Sequence, residues 1–193
     1  MRQRISAVVI GASWGGLDAY SRVLGKLPAN LPVPVLVVQH QHPSGGDKLP
    51  WILDTRTAMH VVAPMEKEPI EAGCVYVAPP GYHMLVDVDH TVCYSLAAPV
   101  NYSRPSIDEL FFSAGHVYGP GLLGVILTGA NDDGAAGITY IKQRGGITMA
   151  QSPVTAEART MPEAAIATGC IDQIHDLDDI GTVISELVFG LGA

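Results

Sequence analysis

The sequence predicts an α/β protein: a doubly wound, mostly parallel sheet with helices on both faces and one antiparallel β-hairpin. Three observations predict it. Short apolar runs rich in Val, Ile and Leu, at residues 5–10, 33–39 and 122–127, read as strands covered on both faces. These runs alternate with stretches of helical spacing at both ends of the chain. In the middle, two runs face each other across Asp89-His90, the signature of a hairpin.

The elements follow in order. After the strand at 5–10, residues 11–16 form a tight Gly-rich loop, and Leu17, Tyr20, Leu24 and Leu27 keep helical spacing until Pro28. The strand at 33–39 tolerates Pro34 only near its start. A helix is expected over about 46–56 and a short strand at 60–63. Residues 73–80 read as a strand ending at Pro79-Pro80, and 84–88 with 91–95 as the hairpin. Ser106-Ile-Asp-Glu109 has the capping-box pattern S-x-x-E and opens a helix to about Tyr118. A strand at 122–127, a helix at 135–144 ended by Gly145-Gly146 and a strand at 147–150 come next. Residues 155–168 contain a helix interrupted near Pro162. A strand at 171–174 and a helix at 178–189 close the chain. The simplest organisation is a single domain over 1–193.

Composition narrows the function. The chain has 193 residues, 48% of them apolar and 16% charged, which supplies a core and excludes disorder, collagen and coiled coil. Eleven Lys and Arg face 19 Asp and Glu, a net charge of −8. With no basic cluster, a nucleic-acid partner is not expected. Cys74, Cys93 and Cys170 lie far apart without a C-x-x-C spacing, so they read as core fillers in a reducing compartment. Apolar runs reach about six residues against the roughly 20 that cross a bilayer, so no membrane insertion is expected. Without a signal-peptide pattern, the chain reads as cytoplasmic.

In an open α/β sheet, ligands bind beyond the carboxyl ends of the strands. The first strand delivers Ser13 within Gly11-x-Ser13-x-Gly15, the pattern of a serine on a sharp strand-to-helix turn. The helix that follows aims backbone N–H groups at the same place, where they can hold an oxyanion. The second strand delivers His40, able to take the serine proton. The strand at 122–127 leads to Asp132 and Asp133, either of which could orient the imidazole. The same loop partly fits the dinucleotide pattern G-x-G-x-x-G. Ser13 replaces its middle glycine, however, and His40 stands where an acidic residue is wanted, so a nucleotide is not expected. His40-x-His42 lacks a third ligand at metal spacing. His60, His83, His90, His116 and His175 read as surface or structural residues. Trp14 either walls a pocket or packs on the helix. Arg104 is a candidate for a substrate carboxylate or an ordinary surface arginine.

Five separated blocks, IGASWGG (10–16), VVQH (37–40), VYVAPPGYHM (75–84), SRPSIDELF (103–111) and LTGANDDGAAG (127–137), resemble the catalytic domain of CheB-type protein-glutamate methylesterases in order and spacing. The resemblance runs from Ile5 to about Leu187. It implies a Ser-His-Asp triad on Ser13, His40 and Asp133, the last because the family aspartate directly precedes Gly-Ala. It implies hydrolysis of methyl esters on glutamyl side chains of chemoreceptors, with no metal or cofactor. Glutamine deamidation with the same triad is the alternative, and a catalytically idle binding module in a sensory pathway is another. The best-known members carry Thr where this chain has Trp14, and Met-Gly where it has Ala130-Asn131. They also carry an N-terminal receiver domain, which is not expected within these 193 residues.

Overall fold

The computed structural model describes residues 4–42, 46 and 48–190. From the N-terminus the elements are β1 (Ala7–Ala12), α1 (Gly16–Leu24), β2 (Val35–Gln39), α2 (Lys48–Asp54), β3 (His60–Val62) and β4 (Cys74–Val77). Then come β5 (His83–Val86), β6 (Val92–Ser95), α3 (Ile107–Tyr118), β7 (Leu122–Ile126) and α4 (Ala135–Gln143). Strand β8 (Ile147–Gln151), α5 (Thr160–Ala167), β9 (Gln173–His175) and α6 (Leu177–Phe189) complete the chain.

Seven strands form one parallel sheet in the order β3-β4-β2-β1-β7-β8-β9, while β5 and β6 pair antiparallel as a separate hairpin. Because side chains alternate along a strand, the sheet feeds two cores. Val8, Ile10, Val35, Val37 and Val125 face α1, α2 and α6, packing on Tyr20, Leu24, Leu53 and Ile180. Ala7, Val9, Leu36, Val38 and Ile126 face the other way, onto Phe111 and Leu110 of α3, Ile138 of α4, Met161 of α5 and Met84 of the hairpin. The predicted doubly wound sheet with helices on both faces is thus observed.

Several local expectations change. Helix α5 is not interrupted at Pro162. The proline sits in its first turn, where a missing N–H costs nothing. The hairpin strands are shorter than expected, because residues 87–91 form the connection, closed by the bond from Asp87 N–H to the Thr91 carbonyl at 2.9 Å. The three cysteines are free and only partly buried, with Cys74 and Cys170 packed at the margin of the second core. The capping box at Ser106-Glu109 is not formed, since no side chain of that pair caps α3. A carboxylate from another loop does so instead.

The strand order reverses at the centre. From β1 the chain moves outward through β2 on one side, then returns to β7 on the other. The carboxyl ends of β2, β1 and β7 therefore lie side by side, at the place where such sheets bind ligands.

Candidate active site

Ser13, His40 and Asp133 stand just past those three strand ends. Ser13 follows β1 and opens the turn into α1, where Gly15 takes φ 77°, a left-handed conformation suited to glycine. His40 follows β2. The β1–β2 register ends at Ala12 opposite Gln39, and His40 N–H reaches the Ala12 carbonyl at 3.1 Å, so Ser13 and His40 are the next residues along adjacent strands. Asp133 ends the loop after β7 and is fully buried.

The structure joins two of the three directly. His40 Nε2–H donates to Asp133 Oδ2 at 2.6 Å, with side-chain exposures of 9% and 0%. No hydrogen bond joins Ser13 Oγ to His40 among the described residues. Instead Ser103 Oγ lies 3.2 Å from His40 Nδ1. Asp133 therefore fixes which nitrogen is left for proton transfer. With Nε2 engaged, Nδ1 is the position that can accept a proton, and a second hydroxyl already stands beside it.

Asp133 receives more than the imidazole. Its Oδ2 also accepts the Ile107 N–H at 2.7 Å, and its Oδ1 accepts the Ser106 hydroxyl at 2.9 Å and the Asp108 N–H at 3.1 Å. The carboxylate thus caps α3 from outside the helix. An anion bonds orphan helix N–H groups more strongly than a neutral hydroxyl does, which explains why Ser106 becomes a donor rather than a cap. Burial pushes the Asp133 pKa up. The His40 bond and the helix N–H groups outweigh that, so it lies below the ordinary carboxylate value.

Asp108 returns the arrangement. Its Oδ1 accepts the N–H groups of Gly134 at 3.0 Å and Gly137 at 2.7 Å, capping α4. Each helix is thus capped by a carboxylate belonging to the other's N-terminal segment. Burial, with a contribution from the Asp133 charge, pushes the Asp108 pKa up to about 6 against the bonds from Gly137 and Gly134.

A cleft of about 400 Å³ opens beside the serine, lined among others by Ser13, Gly16, Asp18, Gln39, Arg56 and Glu157. Trp14 does not line it. Its indole Nε1–H donates to Glu157 Oε1 at 2.9 Å, and the ring is largely exposed. Arg104 is half-buried and its Nη1 donates to the carbonyls of Leu96 and Ala97 at 3.0 and 2.9 Å, tying its guanidinium to that loop. His83 is structural as expected: fully buried, it accepts the Ser106 N–H on Nδ1 and donates from Nε2 to the Ala98 carbonyl, both at 3.2 Å. Asp132, the alternative acid, is exposed. Asn131 turns its Oδ1 back onto the Asp133 N–H at 3.3 Å. Sequence reasoning missed Ser103, Ser106 and Asp108 as members of the site. The sequence trace they leave is the polar residues clustered over 103–108, where a helix begins.

The CheB methylesterase family model matches residues 8–184. The chain belongs to the CheB methylesterase family. The crystal structure of the Thermotoga maritima CheB methylesterase catalytic domain superimposes with a TM-score of 0.92 at 30% identity, covering 95% of this chain and 99% of that one. A Leptospira interrogans protein provisionally named protein-glutamate methylesterase/protein-glutamine glutaminase is 42% identical over 181 residues, 94% of each chain. Proteins named for the same two activities in Clostridium acetobutylicum and Archaeoglobus fulgidus are 37% and 39% identical. They align with 97% and 92% of this chain, which spans 54% and 52% of their length. The resemblance and the fold read from the sequence are both borne out by these CheB-family matches. Among the described residues, no helix is long and apolar enough to cross a membrane.

Proposed function

We propose that this CheB-family hydrolase is a protein-glutamate methylesterase in which Ser13 is the nucleophile, His40 the base and Asp133 its orienting acid. The substrate class is a glutamyl γ-methyl ester on a chemoreceptor-like signalling protein. The observation that carries the residue roles is the buried 2.6 Å bond from His40 Nε2 to Asp133, set beside a serine on the neighbouring strand end.

The chemistry follows from that geometry. Ser13 Oγ attacks the ester carbonyl while its proton passes to His40 Nδ1, the nitrogen that Asp133 leaves open. The imidazolium is stabilised through Nε2–H by a carboxylate held ionised by four donors. Backbone N–H groups where α1 begins, Trp14 among them, face the developing oxyanion. Collapse of the tetrahedral intermediate breaks the bond to methoxide, which takes the Nδ1 proton and departs as methanol. Water then gives its proton to Nδ1 and attacks the acyl-enzyme, releasing the glutamate carboxylate and restoring the Ser13 hydroxyl. The same steps on a glutamine side chain release ammonia, and the relatives' names carry that second activity.

The test is methanol release from a methyl-esterified receptor fragment. The wild type should turn it over, and Ser13→Ala should lose at least about 10³-fold in kcat while remaining folded. Equal turnover by the alanine variant would remove the covalent route. Ammonia release without methanol would make glutamine the substrate.

A further inference from the structure

Gln39 is the last residue of β2, immediately before the base, and it lines the cleft beside Ser13. Its side-chain amide has two acceptors. Nε2 donates to the Ser13 carbonyl at 2.7 Å and to the His40 carbonyl at 2.9 Å. One NH₂ group thus cross-links the peptide that carries the nucleophile to the peptide that carries the base.

This bridge sits where the sheet stops holding the two strands together. The β1–β2 register ends at Ala12 opposite Gln39. Since no hydrogen bond joins the side chains of Ser13 and His40, their separation is set by their backbones. The amide orientation is also fixed chemically. Turned over, its oxygen would face two carbonyl oxygens at hydrogen-bonding distance. As placed, Oε1 is buried without a partner among the described residues. A buried acceptor left unpaired is destabilising, so the two donated bonds are kept at the expense of Oε1. Room is kept for it as well, since a Cβ on Gly16 would come within 1.9 Å of Oε1.

We propose that Gln39 is a positioning residue of the hydrolytic site, fixing the spacing between Ser13 and His40 through its two bonds to their carbonyl oxygens. The inference rests on the triad reading above. It says that removing the donor, with the side-chain length retained, impairs the chemical step and leaves binding alone. Displacing a reacting group by about 1 Å can cost about 10²-fold in rate.

The experiment compares wild type, Gln39→Met, Gln39→Glu and Ser13→Ala in their inactivation by a fluorophosphonate, with kinact and KI determined separately and melting temperatures recorded. Gln39→Met retains length without the donor. Gln39→Glu retains shape but sets an acceptor against two acceptors. We expect kinact to fall about 10–100-fold in Gln39→Met and further in Gln39→Glu, with KI within about twofold of wild type in both. Wild-type kinact in Gln39→Met overturns the proposal, and so does a raised KI at unchanged kinact, which would make Gln39 a ligand contact. Unfolding of both variants overturns it too, by making the residue a fold requirement. Failure of the wild type to label, or labelling of Ser13→Ala at the wild-type rate, brings down the triad reading itself and this inference with it. Labelling that depends on Ser13 and ignores Gln39 brings down this inference alone.

Discussion

At the scale of single residues, the imidazole of His40 decides what the other groups can do. Its Nε2 is held by Asp133 at 2.6 Å and its Nδ1 is met by Ser103 at 3.2 Å. Asparagine at 133 would offer His40 an NH₂ group where it needs an acceptor, favouring the wrong tautomer. Asp133→Asn should therefore lower kcat by about 10⁴-fold. Asp132→Asn should change it little, because Asp132 is exposed. Steady-state methanol release on the two variants checks both, and reversed effects would reassign the acid. Ser103 competes for Nδ1 with one neutral hydrogen bond, worth about 0.5–1.5 kcal/mol, so Ser103→Ala should alter kcat by no more than about tenfold. A loss of several orders of magnitude in that variant would make Ser103, not Ser13, the attacking hydroxyl. The sequence placed Ser13 and His40 at the strand ends from local pattern, and the family resemblance chose Asp133 over Asp132. Ser103 stands in a polar run that the sequence shows, but its contact with an imidazole 63 residues earlier is tertiary and no local pattern announces it.

At the scale of elements, the site is built on two helix N-termini that cap each other. Asp133 caps α3 and Asp108 caps α4, so the loop bearing the acid and the start of α3 are one unit. The S-x-x-E pattern at 106–109 marked the helix start correctly and its cap wrongly. Local pattern sees only partners within a few residues, while the winning acceptor lies 26 residues away from Ile107. The same blindness hid Asp108, which reads as an ordinary acidic residue in a first turn. Its buried carboxyl has a folded-state pKa of about 6, above that of an unfolded aspartate. A raised carboxyl pKa means that the folded state holds the proton more tightly. The wild type therefore loses stability from this group as pH rises from about 4 to above 6. Asparagine keeps an oxygen for the Gly134 and Gly137 N–H groups and carries no charge. Melting temperatures of Asp108→Asn relative to wild type should shift in favour of the variant between pH 4 and pH 7. A difference that stays constant across that range would mean that the carboxyl is not held protonated by the fold.

At the scale of the whole molecule, the continuous apolar runs were the most legible part of the sequence, because strands buried on both faces leave no polar positions to confuse the period. Val8 and Val9 show why: adjacent residues enter opposite cores and both are fully buried. Both cores share this one sheet, so neither can open without exposing the other's strands. Far-UV circular dichroism and the near-UV signal of the buried tyrosines, Tyr20 in one core and Tyr76 in the other, should then report coincident unfolding in urea, and separated transitions would show that the two layers unfold independently. The same sheet brings Ser13, His40 and Asp133 to one edge although 120 positions separate the first from the last. The claim that this edge is a serine hydrolase centre is tested most directly by peptide mapping of the covalent adduct formed with a fluorophosphonate. The modification should fall on Ser13 and be absent when His40 is replaced by alanine; an adduct on Ser103, or none on the folded wild type, would refute a centre built on Ser13.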